Sequence, residues 1–184
     1  MSEWNTETAE WYAEKYGDYP TNRLAVNELD LFDHVSIVDV GCGTGAALRH
    51  AASMIAGDKL IGIDPVPRMI EIAKELTDEK KYKNRIEYKV GSAEKLPVDN
   101  DFANFVFAFD SIDHWRDIDK GLAETKRIIQ SGGTFAIVKD TSVPGASKAI
   151  ETLTKNLEAA GFTIANKKKI SAEGISFFLI TCRA

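Results

Sequence analysis

The 184-residue sequence predicts a single-domain α/β fold. Its sheet is doubly wound, seven-stranded and mostly parallel, with the last strand antiparallel and inserted beside the edge strand. Three observations carry this. Apolar strand patterns alternate with amphipathic helix patterns from Val35 to Ala160, which predicts a parallel sheet covered by helices on both faces. Three glycines at alternate positions, Gly41, Gly43 and Gly45, sit between the first strand and the helix after it. The last two strand patterns are separated only by Ser171-Ala172-Glu173-Gly174. Four residues close a hairpin but cannot make a parallel crossover.

The elements follow in order. Glu7 to Tyr16 reads as a helix carrying Trp11, Tyr12 and Tyr16, and Asn22 to Leu31 as a second. Val35 to Val40 is a strand and Gly45 to Ala56 a helix. Lys59 to Asp64 is a strand, and Pro67 to Leu76 a helix opened by proline. Arg85 to Val90 and the aromatic run Phe102 to Phe109 are strands, with a helix from Ile118 to Ile129 behind them. Gly132-Gly133 turns into the strand Thr134 to Lys139. Pro144-Gly145 marks a loop, and Lys148 to Ala160 a helix ended by Gly161. Of the final pair, Phe162 to Ile170 carries Lys167, Lys168 and Lys169, which suits an edge. Ile175 to Cys182 is apolar on both faces, which suits the sheet interior.

Composition narrows the function classes. A net charge of -5 argues against a general nucleic-acid binder. The clusters Lys80, Lys81, Lys83 and Lys167 to Lys169 read as solvated surface. Two cysteines, Cys42 and Cys182, form neither a disulfide framework nor a metal-ligand spacing, and a reducing compartment is the default. The polar start Met1-Ser2-Glu3-Trp4-Asn5 predicts no secretory leader, and no apolar run is long enough to span a bilayer. A cytoplasmic protein without membrane or nucleic-acid partners is expected, with a small molecule as its partner.

The glycine turn is the strongest local signal. Such a turn between strand and helix is where nucleotide-like ligands bind in doubly wound sheets. Asp64 ends the second strand about 20 residues further on, where an acid accepts hydrogen bonds from a ribose. The competing reading is a turn aspartate before Pro65. Asp39 stands just before the first glycine, in an apolar strand, and burying a carboxylate calls for partners. Gly41, Gly43 and Ala46 also fit the dinucleotide fingerprint, which alone is weak. No second domain remains for a dehydrogenase's substrate, and the antiparallel tail is not the continuation expected of two nucleotide-binding halves.

With these residues in place the chain resembles the class I S-adenosylmethionine-dependent methyltransferases, especially the small group with a helical N-terminus. The resemblance runs from about Trp11 to Cys182. Val38-Asp39-Val40-Gly41-Cys42-Gly43-Thr44-Gly45 is similar to the family's first motif, and Asp64 to its ribose-binding acid. Gly91-Ser92-Ala93-Glu94-Lys95-Leu96-Pro97 resembles the third-strand motif that flanks adenine. Asp110-Ser111-Ile112-Asp113-His114-Trp115 stands where the fourth strand opens onto the transferred methyl. Arg127 to Phe135 resembles the helix-to-fifth-strand turn. Three departures are visible: Ser92 where aspartate is frequent, Phe102-Ala103 where Phe-Asp is frequent, and Asp113 in place of one of two adjacent histidines.

The resemblance implies S-adenosylmethionine as cofactor, S-adenosylhomocysteine as product, and methyl transfer to a small-molecule acceptor by in-line displacement. It implies a cofactor site of Tyr12, Asp39, Gly41, Cys42, Gly43, Gly45, Asp64, Pro65, Met69, Ser92, Ala93, Glu94 and Asp110, and no metal. Catalysis would rest on holding nucleophile and methyl carbon at near-attack distance, with a base where the acceptor must lose a proton. His114 is the candidate base, since histidine titrates near neutral pH. Tyr12, Tyr16 and Trp115 offer electron-rich faces to a sulfonium, with core packing as the competing reading. Residues 1–34 are expected to form a helical lid, and residues 35–184 the cofactor-binding domain. A non-catalytic protein that binds the same cofactor and a nicotinamide-dependent oxidoreductase are the alternatives.

Overall fold

A computed structural model describes residues 5–56, 59–79, 82, 84–141 and 146–184. The chain opens with two helices, α1 (Thr6–Tyr16) and α2 (Pro20–Asn27). The alternating part follows as β1 (Ser36–Val40), α3 (Ala46–Met54), β2 (Lys59–Asp64), α4 (Pro67–Glu79) and β3 (Ile86–Val90). Then come β4 (Ala103–Phe109), a short 3-10 turn (Ile112–His114), α5 (Ile118–Ile128), β5 (Ile129–Asp140) and α6 (Ala146–Ala159). The chain ends in the hairpin β6 (Thr163–Ala172) and β7 (Ile175–Arg183).

The seven strands form one sheet in the order β3-β2-β1-β4-β5-β7-β6. Only β7 is reversed: it pairs antiparallel with β5 on one side and β6 on the other. The last strand therefore lies inside the sheet and the lysine-bearing strand at its rim, as their compositions predict. Lys167, Lys168 and Lys169 are exposed on β6. The loop predicted at Pro144-Gly145, the cluster Lys80, Lys81 and Lys83, and Met1 to Trp4 lie outside the described residues.

The core has two halves because side chains alternate along each strand. Phe105, Phe107 and Phe109 of β4 face a cluster completed by Ala25 and Val26 of α2, Leu48 and Ala51 of α3, and Ile70 of α4. Val106 and Ala108 face the other cluster, with Leu122 and Ile128 of α5 and Ile150, Leu153 and Leu157 of α6. This is the doubly wound arrangement.

Several boundaries differ from expectation. The second helix starts at Pro20, which suits a first helical position, and ends at Asn27 rather than Leu31. Beyond it Glu28 and Leu29 close short turns onto Ala25 and Val26, so Leu29 reaches the core without helix. β5 begins at Ile129 and absorbs the glycine pair as an irregularity, with a register shift against β4 between Ala103 and Phe105. Gly132 has φ +75 there. The final hairpin closes in two residues, Glu173 (φ +52) and Gly174 (φ +76), so both strands run further than predicted. Positive φ at both positions is what a tight two-residue turn requires.

Candidate functional site

Strand order reverses between β1 and β4, and the crevice at such a switch point is where doubly wound sheets bind ligands. Here the crevice holds the glycine turn. Its amides at Gly41 and Cys42 donate to the Ile63 carbonyl of β2 at 2.7 and 3.0 Å. Gly43 donates to Asp64 Oδ2 at 2.9 Å, while Val66 donates to Asp64 Oδ1 at 2.9 Å. The acid after β2 thus holds the turn after β1.

The glycines serve different purposes. A Cβ on Gly41 would lie 2.4 Å from Ser111 Cβ, and one on Gly45 would lie 2.2 Å from the Tyr88 hydroxyl. These two allow close packing. A Cβ on Gly43 would meet nothing within 4 Å, so this glycine keeps space open above the turn. The space is a cleft floored by Asp39, Gly41, Cys42, Gly43 and Thr44. Phe109 from the end of β4 and Tyr12, Tyr16, Gly17 and Asn22 from the N-terminal segment wall it.

Electrostatically the cleft is acidic. Asp39 is 2% exposed, and no described residue donates a hydrogen bond to its carboxylate. Burial, reinforced by the nearby Asp64 carboxylate, pushes its pKa up to about 8. Burial also raises Asp64, against the two backbone N–H groups that stabilise its charge. Asp110, at φ +50 just past β4, accepts from the Asp140 amide at 3.0 Å. Burial lifts it to about 6. Burial and the fields of Asp110 and Asp64 raise the Tyr12 phenol. Burial and the carboxylates of Asp64 and Asp39 push the Cys42 thiol well up, so it stays protonated.

Of the sequence-predicted residues, Tyr12, Asp39, Gly41, Cys42 and Gly43 line the cleft, and Asp64 is bonded to it. Gly45 caps α3 behind the turn. Pro65 is exposed just after β2, and Met69 is buried in α4. Ser92, Ala93 and Glu94 follow β3, on the cleft's β2–β3 flank and outside its lining. Glu94 accepts from the amides of Arg116 and Asp117 at 2.7 and 3.1 Å, which ties this loop to the start of α5. Burial raises Glu94, but these bonds and those from its own amide and Ser92 outweigh it and lower its pKa. His114 is exposed on the 3-10 turn and is not part of the lining. Trp115 packs over α5, where a Cβ on Gly121 would lie 2.3 Å from its ring, so its role is packing.

The sequence alone did not single out Gly17, Asn22, Thr44 or Phe109 as parts of the site. Thr44 was legible only as an unassigned letter of the glycine motif. Gly17 and Asn22 carry no local signal, because they reach the cleft only through the docking of α1 and α2. The N-terminal segment is held in several places. Arg68 of α4 bonds Glu10 of α1 at 3.0 Å, and His50 of α3 bonds Asn27 of α2 at 2.8 Å. Arg23 of α2 bonds Glu173 at the hairpin tip at 2.6 Å. Tyr16 meets Trp11, Tyr12 and Tyr19 in an aromatic group along α1, with ring centroids 5.2 to 5.8 Å apart.

The comparisons with known proteins agree with this geometry. The methyltransferase-domain family matches residues 38–137, from the start of the glycine motif to β5. The chain is 31% identical over 121 residues to the ubiquinone/menaquinone biosynthesis C-methyltransferase UbiE of Geobacter sp. strain M21, covering 64% of this chain and 50% of that one. It is 38% identical over 103 residues to the demethylmenaquinone methyltransferase of Chlorobaculum tepidum, covering 56% and 40%. The chain thus spans about half the length, or less, of these relatives. A solved S-adenosylmethionine-dependent methyltransferase from Aquifex aeolicus shares the fold at TM-score 0.81 and 19% identity, covering 99% of this chain and all of that one. With the glycine motif, the 3-2-1-4-5-7-6 sheet and the family match in agreement, the chain belongs to the methyltransferase-domain family, with the class I S-adenosylmethionine-dependent fold.

Proposed function

We propose that the chain binds S-adenosylmethionine in this cleft and directs methyl transfer to a small-molecule acceptor. The observation that carries the reading is Asp39. A buried carboxylate that faces open space and has no donor among the described residues is matched by a ligand bringing a cation or hydrogen-bond donors. The open side of Gly43 leaves room for that ligand against the turn. When bound, the cofactor supplies a methyl group already attached to a sulfonium leaving group.

The chain's own residues would then bind and orient. Asp64, with its charge held by two backbone amides, accepts from ribose hydroxyls through its remaining lone pairs. Tyr12 and Tyr16 present aromatic faces from the N-terminal side. The segment 1–34 acts as the cover that excludes water, and residues 35–184 carry the site. Asp110 follows Phe109, the β4 residue that walls the cleft, and His114 serves as the candidate base beyond it.

The named relatives are quinone methyltransferases, which supports a small-molecule acceptor and puts demethylmenaquinone first among the compounds to try. The test is twofold. Calorimetric titration with S-adenosylhomocysteine should give saturable binding, and a nicotinamide dinucleotide should give none; the opposite pattern rejects the cofactor reading. Methyl-labelled S-adenosylmethionine offered with a panel of small molecules should give labelled product. Binding without transfer to any acceptor would favour a non-catalytic protein of the same fold.

A further inference from the structure

We propose that Thr44 and Arg49 are positioning residues that couple ligand binding in the cleft to docking of the N-terminal helices. This inference rests on the cofactor reading given above.

Both residues are almost fully buried, at 4% exposure, and neither is apolar. Thr44 stands inside the glycine turn, and its hydroxyl donates to the Gly17 carbonyl at 2.7 Å. Arg49 lies in the second turn of α3. Its Nη1 donates to the Thr44 carbonyl, and its Nη2 pairs with Asp18 Oδ1 at 3.2 Å. Gly17 and Asp18 form the joint between α1 and α2. One residue of the glycine turn is therefore gripped at its hydroxyl and its carbonyl, and both grips lead to that joint.

The end of α1 itself requires glycine at the joint, and the contact with Thr44 is tight. A Cβ on Gly17 would fall 2.3 Å from the Ala13 carbonyl oxygen and 3.3 Å from Thr44 Cγ2. On its other side Thr44 follows Gly43, whose amide is held by Asp64. The route from the joint to the ligand-facing acid is thus two hydrogen bonds and one peptide link. A ligand that engages Asp64 and the open side of Gly43 fixes the peptide to which the joint is tied. Undocking the joint takes the Thr44 hydroxyl and Arg49 Nη2 from their partners, which is costly. Ligand binding and docking must then favour each other by the same factor.

The test uses the full chain and S-adenosylhomocysteine. Calorimetry gives affinity, and amide hydrogen exchange follows residues 6–19 with and without ligand. In the wild-type protein the ligand should slow exchange across these residues. Thr44→Val keeps the shape but loses the hydroxyl; it should weaken binding roughly three- to ten-fold and abolish most of the ligand-induced slowing. Thr44→Ser should restore both. Asp18→Asn, at a side chain 74% exposed and away from the core, should act in the same direction without impairing folding. If Thr44→Val and Asp18→Asn change only the melting temperature, with affinity and ligand-induced protection as in the wild type, the coupling is overturned. If the wild-type protein binds no S-adenosylhomocysteine, the cofactor reading fails and takes this inference with it.

Discussion

Gly43 donates its backbone N–H to Asp64 Oδ2 at 2.9 Å, which makes the turn after β1 and the acid after β2 a single unit. Asp64 therefore shapes the turn, and in the proposed site its remaining lone pairs are left for the ligand. Hydrogen bonds to a charged group contribute about 1.5–3 kcal/mol. Asp64→Ala should weaken S-adenosylhomocysteine binding by about ten- to a hundred-fold in a calorimetric titration. An unchanged affinity would remove Asp64 from the ligand site.

Asp39 makes stability depend on pH in a defined direction. Its pKa in the folded state is about 8, raised by burial, against about 4 in the unfolded chain. Between these values the folded state holds a proton that the unfolded state gives up. The contribution of Asp39 to the unfolding free energy should therefore fall as pH rises from about 4 to about 8, and the buried Cys42 thiol, held protonated, extends the fall above the ordinary thiol range. Asp110, lifted to about 6, adds to the lower part of that fall. Glu94 and Glu124, both lowered, act in the opposite sense only below the ordinary glutamate range. Urea unfolding from pH 5 to 9 should show the decline, and Asp39→Asn should flatten it.

Two glycines of one motif should respond differently to alanine. Gly43→Ala adds a methyl group to open space at φ +51, so the fold loses only about 1–2 kcal/mol from backbone strain. Ligand affinity should fall on the order of tenfold as the cleft fills. Gly45→Ala forces a Cβ to within 2.2 Å of the Tyr88 hydroxyl, which itself bonds Thr77 at 2.9 Å. Overpacking there should cost about 1–3 kcal/mol in addition to the strain. Melting temperature and S-adenosylhomocysteine affinity, measured on both variants, separate the two roles.

A general base contributes about 10²–10⁴-fold to rate. If His114 holds that role, His114→Ala lowers turnover on the acceptor by such a factor while leaving S-adenosylhomocysteine affinity intact. Its exposed position off the cleft lining makes this a sharp test. Turnover like that of the wild type would exclude it as the base.

Removing residues 1–20 takes away Tyr12, Tyr16 and Gly17 from the cleft wall, together with the Glu10–Arg68 pair. The truncated protein should retain S-adenosylhomocysteine more weakly and lose activity. Normal affinity and activity would rule out the cover.

The sequence by itself determined the sheet and the turn. Strand and helix periods alternate strongly enough in Ile37 to Val40, Leu60 to Ile63 and Phe105 to Phe109 to fix the layers. The four-residue gap before Ile175 forces a hairpin, and the contrast between Lys167–Lys169 and Phe177–Ile180 decides which strand is interior. These are local properties, and local sequence specifies them. Tertiary structure decided what surrounds the turn. Thr44 meets Gly17 across 27 positions, and Glu94 reaches the amides of Arg116 and Asp117 across 22 and 23. Such partners are chosen by the docking of α1, α2 and α5, which no local pattern encodes. Gly41, Gly43 and Gly45 read alike in the sequence. Only the neighbours that packing brings show that two make room for Ser111 and Tyr88, and that the third borders open space.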